Sequence, residues 1–310
     1  MSVRVTLLVL ALLAVGRQGE PVATPDEGVA GRSEPVTQGM VDLDDGRQLY
    51  INCRGETTPT VIIETGLGDP GITWGRVFPE IAEFARVCIY ARAGVGGSDA
   101  PPEIDRPRTV IDVVGDLEML LRNAHIEPPY VLVGQSLGGV NARAFAARHL
   151  DDVVGMVLVD SSHEQQVEIS STFASPVMKK LEAAYESDKA NIPTYEGIDL
   201  KEYVPKGTLP PRLGEMPLVV LTATKTPSYP PPEQLPEAMR AVFEAYPDEM
   251  EDAMERALEM MIHMQQDLSY LSTHGRQIMV EDAGHMIHVD QPQAVIDAIR
   301  EVVETARSHP

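Results

Sequence analysis

The sequence predicts an α/β protein: a doubly wound, mostly parallel sheet with helices on both faces and an inserted, mainly helical cap. Three observations predict it. Short, nearly all-apolar runs recur along the chain, "TVIIETG", "RVCIYARAG", "YVLVGQS", "VVGMVLVDS", "MPLVVLTAT" and "RQIMVEDAG". Strands without polar alternation are buried on both faces, as in parallel sheets covered by helices. Between them, "WGRVFPEIAEFA", "VIDVVGDLEMLLRNA", "VNARAFAARHL" and "PQAVIDAIREVVETA" carry apolar residues at i, i+3 and i+4, the helical period. Ahead of both sets, "MVDLDDGRQLYINCRG" reads as a hairpin turning at Asp44-Asp45-Gly46, which gives the sheet an antiparallel start.

Taken in order, the chain begins with a different kind of segment. Arg4 precedes the apolar run "VTLLVLALLAVG", Val5 to Gly16, which ends in small residues. That is the pattern of an export signal, so 1–16 is expected to be a signal peptide and the protein secreted or periplasmic. The run is too short to span roughly 30 Å of hydrocarbon as a helix, so no stable membrane span is expected. Residues 17–35, polar and proline-containing, read as a disordered linker. The sheet and its helices then occupy 36–160 and 217–310.

Two segments break the rhythm. Residues 161–216 carry scattered prolines and a single clear helix near "PVMKKLEAAYES". Residues 226–272 open with "TPSYPPPEQLP" and continue into Met- and Glu-rich helices. Long insertions without strands are uncommon unless they cover a site. Segment 161–216 is therefore read as the cap, with part of 226–272 joining it. Met250, Met254, Met260, Met261 and Met264 suit ordinary helix packing better than an adaptable pocket, although methionine serves both.

Composition narrows the function classes. With 310 residues, 43% of them hydrophobic and 23% charged, the chain fits one large globular domain or a domain with an insertion. A formal charge of −22 argues against nucleic acid and anionic lipid as partners, because both repel an acidic surface. The two cysteines, Cys53 and Cys88, sit in apolar strand-like runs, and no Cys/His spacing suggests a metal. As buried thiols they would act as small hydrophobes; after export they could pair instead.

The most informative stretch is "YVLVGQSLGG", Tyr130 to Gly139. A G-x-S-x-G sequence between a buried strand and a helix is a nucleophile elbow, whose strained turn lifts the serine hydroxyl above the sheet. Gly134 and Gly138 would remove the Cβ atoms that collide where strand and helix meet. A plain strand–helix turn is the competing reading for these glycines. Serine alone is a poor nucleophile and needs a base. His285 follows the last strand, at the C-terminal edge where parallel sheets place their sites. His288, three residues on, is its competitor and reads as packing or solvent-facing. His163, His263 and His274 read as cap or helix-end residues. Asp160 closes the strand after the elbow helix and is the candidate for the acid that orients the histidine. Its structural alternative is the cap of a helix starting at Ser161. The next strand has no carboxylate until Glu233, beyond Pro230-Pro231-Pro232. The order Ser136, Asp160, His285 is serine, acid, histidine.

From about residue 40 to about 305 the chain resembles the α/β-hydrolase fold superfamily, in its serine hydrolase branch of esterases and lipases. The resemblance is carried by the elbow and by "ETGLGDPGITW", "YARAGVGGSD", "VLVDSSH" and "DAGHMIHVDQP". It implies that the Leu67 and Leu137 backbone N–H groups form the oxyanion hole. In this family the loop after the third strand often reads His-Gly. Here Thr65-Gly66 stands in that place, which leaves open how the loop is ordered. Ala91 replaces an aspartate that is usually structural. The family's sheet order sets the strands of Cys53 and Cys88 side by side, so the resemblance makes a disulfide possible.

The expected activity is cofactor-free hydrolysis of a small-molecule carboxylic ester through an acyl-enzyme. Amide hydrolysis, C–C bond hydrolysis and perhydrolysis use the same triad. Epoxide hydrolases and haloalkane dehalogenases share the fold but carry an aspartate nucleophile, which Ser136 is not. A non-enzymatic binding protein on this fold would typically lack part of the triad.

Overall fold

Burial on both faces is what the strand residues dictate, and it is what they achieve. In the computed structural model, β3 (Thr60–Glu64), β4 (Val87–Tyr90), β5 (Tyr130–Gln135) and β7 (Leu218–Ala223) are buried at every position. With β1 (Gln38–Asp42), β2 (Gln48–Arg54), β6 (Val153–Val159) and β8 (Gly275–Val280) they form one eight-stranded sheet of order β1-β2-β4-β3-β5-β6-β7-β8. The hairpin β1–β2 and the β2–β4 pair are antiparallel, and the remaining pairs are parallel. The structure describes residues 37–166, 175–188, 196–200, 202–210, 212–226 and 235–308. The expected signal peptide and linker, and Glu233 with the triple proline, lie outside them.

Side chains alternate across the sheet with period two. Ile62, Leu132 and Leu158 face one core with α2 (Val110–Asn123) and α3 (Leu137–Arg148). Val61, Ile63, Val131, Val133 and Val157 face the other, against α1 (Phe78–Ala82) and α8 (Pro292–Ser308). Helix α2 starts where a capping box forms, Thr109 accepting from the Asp112 amide while Asp112 accepts from the Thr109 amide. The long helix expected over "WGRVFPEIAEFA" is shorter than its pattern. A 3₁₀ turn spans Ile72–Trp74 and α1 covers only five residues. Pro79 is the reason: it lacks an N–H and fits only the first turn of a helix, so the helix begins at Phe78.

Cys53 and Cys88 are directly opposed in the antiparallel β2–β4 register, with Cα atoms 4.1 Å apart, and a disulfide joins them.

Helices from both insertions pack together beside the sheet. Val177, Met178 and Leu181 of α4 (Pro176–Asp188) share an apolar cluster with Met239 of α5 (Glu237–Ala245) and Met250, Ala253 and Met254 of α6 (Pro247–Ser269). Met261 and Met264 are also buried, whereas Met260 is only half-buried. The C-terminal half of α6 reaches back to the sheet, where the Gln277 side chain on β8 donates to the Ile262 carbonyl at 3.0 Å. Among the described residues, no helix is long and apolar enough to cross a membrane.

Candidate active site

The parallel strands end together on one edge, and the loops leaving that edge carry the candidate residues Ser136, Asp160 and His285. Ser136, between β5 and α3, has φ 52° and ψ −122°, a conformation that costs a non-glycine residue energy and is held only when its surroundings enforce it. The enforcement is visible. The Ser136 amide donates to Val159 O at 3.3 Å, and its carbonyl accepts from the Gly139 amide at 3.1 Å and the Ser162 amide at 2.9 Å. A Cβ on Gly134 would lie 2.5 Å from Gly139 Cα, and one on Gly138 would overlap the Glu64 carbonyl oxygen. Both glycines are therefore contact points of strand with helix and of helix with the β3 loop.

Asp160 closes β6 with φ 44° and is buried. One carboxylate oxygen, Oδ1, accepts from the Ala223 amide at 3.2 Å; the other, Oδ2, lies 2.7 Å from His285 Nδ1. Its own amide donates to Leu221 O at 2.8 Å. The aspartate is thus fixed by β7 on one side and presents its free oxygen to the imidazole. His285 sits on the β8–α7 segment ahead of α7 (Ile287–Asp290), where the Gly284 amide donates to Asp290 Oδ2 at 2.8 Å and closes the loop. With Nδ1 carrying the proton toward Asp160, Nε2 is an acceptor directed away from the carboxylate.

That nitrogen lies 3.4 Å from the side-chain amide of Gln135, which is also 3.3 Å from the His285 carbonyl oxygen. Among the described residues Ser136 Oγ makes no hydrogen bond to His285. The structure brings Asp160 and His285 into direct contact and places the residue before Ser136 against the same imidazole edge. In ligand-free sites the nucleophile–base bond often forms only once substrate is in place. Gln135 is a candidate-site residue that the sequence reading passed over, because the position immediately before the elbow serine is variable and carries no signal.

The loop after β3 lies against the elbow, since a Cβ on Gly66 would stand 3.5 Å from Ser136 Cβ. Among the described residues, neither the Leu67 nor the Leu137 amide has a hydrogen-bond partner. Two unpartnered N–H groups beside a serine, one of them at a helix N-terminus, suit a developing oxyanion.

His288 is fully buried, its ring stacked on Trp74 with centroids 4.3 Å apart. Thr73 Oγ1 donates to Asp69 Oδ2 at 2.6 Å and so is left to accept from His288 Nε2 at 2.9 Å. Nδ1 then carries no proton and has no partner. Burial, with a smaller push from His285, lowers the His288 pKa to about 3. It is a neutral ring packed on Trp74. His163 is buried as well, and desolvation lowers its pKa; His263 is exposed and bonds its own helix at the Glu259 carbonyl. Among the described residues no group of three or more His, Cys, Asp or Glu is placed to hold a metal ion.

This fold and this site define a class. The model of the alpha/beta hydrolase family matches residues 62–298, well over half of the chain, and the chain belongs to that family. Particular relatives are more distant. A probable transporter of Hormonema carpetanum is 35% identical over 133 residues, 41% of this chain and 19% of the relative. A pimeloyl-[acyl-carrier protein] methyl ester esterase of Chromobacterium violaceum is 35% identical over 114 residues, 37% of this chain and 41% of the relative. The matched region spans only about a fifth of the first few curated relatives. Among solved structures, a thermophilic esterase from Thermogutta terrifontis superposes with a TM-score of 0.57 at 20% identity, over 87% of this chain and 99% of that one. At that identity the likeness is one of fold.

Proposed function

We propose that the protein is a serine hydrolase that cleaves a carboxylic ester of a small molecule through an acyl-enzyme. Ser136 Oγ attacks the carbonyl carbon while its proton passes to His285 Nε2. Asp160 keeps the Nδ1 proton in place and stabilises the imidazolium that forms. The negative charge on the former carbonyl oxygen is received by the Leu67 and Leu137 amides, each such donor being worth roughly 3–4 kcal/mol of barrier. Collapse expels the alcohol, protonated by His285, and leaves Ser136 acylated. Water, deprotonated by the same nitrogen, then releases the acid and restores the serine.

The single observation that carries this reading is the 2.7 Å contact of Asp160 Oδ2 with His285 Nδ1 beside a serine held at φ 52°. A binding protein on this fold has no need to fix a histidine tautomer or hold a strained serine. The matched esterase of Chromobacterium violaceum favours esters as the substrate class. Export to an oxidising compartment belongs to the same proposal, supported by the Cys53–Cys88 disulfide, because such bonds persist outside the reducing cytosol. The test is hydrolysis of p-nitrophenyl esters of graded acyl length by the full chain and by Ser136→Ala. Turnover by the parent and none above background by the variant supports the reading. Equal turnover by both overturns it.

A further inference from the structure

The loop that carries Leu67 lacks the family's histidine, yet it is held on every side. Arg92, in the loop after β4 and only 2% exposed, reaches beneath it. Its Nη1 donates to Thr65 O at 2.8 Å, and its Nη2 to Gly66 O at 2.6 Å. Glu196 takes the other side of the guanidinium, Oε2 accepting from Nε at 2.7 Å and Oε1 from Nη2 at 2.8 Å. The same Oε1 accepts from the Gly68 amide at 2.9 Å. The carbonyls of Thr65 and Gly66 and the amide of Gly68 are therefore all engaged, and among these groups the Leu67 amide alone stays unpartnered.

Peptide geometry turns this clamp into an aiming device. A trans peptide is planar, with C=O and the following N–H pointing in opposite directions. Fixing Gly66 O on Arg92 forces the Leu67 N–H away from the guanidinium. The charged partner also polarises that peptide, which strengthens the N–H as a donor. Behind Arg92 stands a second buried carboxylate, Glu64, whose Oε2 lies 3.5 Å from Nη1. Glu64 accepts from Tyr90 OH at 2.5 Å and from the Asn141 amide at 3.1 Å, and Asn141 in turn accepts from Tyr203 OH at 2.5 Å. Burial raises the Glu64 pKa, opposed by Arg92.

We propose that Arg92, seated by Glu196, is a positioning residue that aims the Leu67 amide at the oxyanion, in the place of the histidine this loop lacks. Glu196 belongs to the 161–216 insertion, so that segment completes the oxyanion hole as well as forming part of the cap. The inference rests on the acyl-enzyme reading above.

The experiment measures kcat and KM on p-nitrophenyl acetate for Arg92→Met, Arg92→Lys, Glu196→Gln and Tyr203→Phe. The last variant removes a hydrogen bond from the same buried network and touches no group of the Leu67 loop. Loss of one oxyanion donor costs about 10²–10³ in kcat. Arg92→Met is expected to lose that much in kcat with KM changed less than about threefold. Arg92→Lys, able to reach one carbonyl, should fall between it and the parent. Glu196→Gln should lose about tenfold or more, because an amide cannot accept from both Nε and Gly68. Tyr203→Phe should lower thermal stability and leave kcat unchanged. A folded Arg92→Met or Arg92→Lys at full kcat overturns the inference, as does a Tyr203→Phe loss equal to theirs. If Arg92→Met does not fold, the lysine variant decides. Turnover by Ser136→Ala sinks the hydrolase reading itself. An inactive Ser136→Ala beside a full-speed Arg92→Lys sinks this inference alone.

Discussion

Replacing Asp160 with Asn tests the triad through a proton and leaves its shape intact. The structure settles which way the new amide turns. In the parent, Oδ1 accepts from the Ala223 amide and Oδ2 faces His285 Nδ1. An asparagine that put its NH₂ toward Ala223 would set two donors against each other in a buried site. It must keep its oxygen there and present NH₂ to His285. Nδ1 then has to accept, the proton moves to Nε2, and the imidazole can no longer take the serine's proton. In a serine protease with the same arrangement, this change lowers kcat by about 10⁴. The equivalent barrier is about 5.5 kcal/mol at 1.36 kcal/mol per tenfold. Turnover on one activated ester at pH 8 is the assay, with the fluorescence of the chain's single tryptophan, Trp74, as the check on folding. A folded Asp160→Asn protein that keeps more than about a tenth of parental kcat refutes the assignment. Glu233→Gln, the alternative acid, should stay within tenfold of the parent.

Two further outcomes follow from burial and from the cross-link. His288, neutral with a pKa near 3 in the fold against 6.5 when unperturbed, binds its proton only on unfolding. Its contribution to stability is complete above pH 6.5 and is lost as pH falls toward 3, about 2 kcal/mol of it by pH 5. His288→Phe, which keeps a ring against Trp74, should flatten that part of the urea-unfolding profile; an unchanged acid slope would contradict it. Cys53 and Cys88 close a loop of sequence separation 35. In the chain-entropy model that is worth roughly 4 kcal/mol. Mass spectrometry of unreduced, alkylated protein should find neither thiol modified, and Cys53→Ala with Cys88→Ala should lower the denaturant midpoint accordingly.

Much of this molecule was legible because its signals are local. Short apolar runs rich in β-branched residues, such as Val131–Val133, bounded by proline and glycine, read as central strands, and a serine between glycines after such a run points to the elbow. Chain order and strand ends singled out Asp160 and His285 without any contact being known. Other features depend on what packs against them. Nothing in the sequence around Glu196 distinguishes it from other acidic residues of the insertion, and its role arises from a left-handed φ of 60° and burial against Arg92. Gln135 gave no signal because any residue fits the variable position of the elbow. His288 carries the same residue type as His285, three positions away, and only burial against Trp74 separates their roles. The helix over residues 74–85 was overread because apolar spacing persists through Pro79, while the missing N–H of proline does not show in a hydrophobic pattern.

The central claim is that Ser136 is a nucleophile activated by His285. Labelling with a fluorophosphonate, read by intact mass and peptide mapping, addresses it most directly. The account predicts one adduct per chain, on Ser136, with labelling abolished in Ser136→Ala and slowed at least a hundredfold in His285→Ala. A folded parent protein that takes no label, or takes it on another residue, would contradict it.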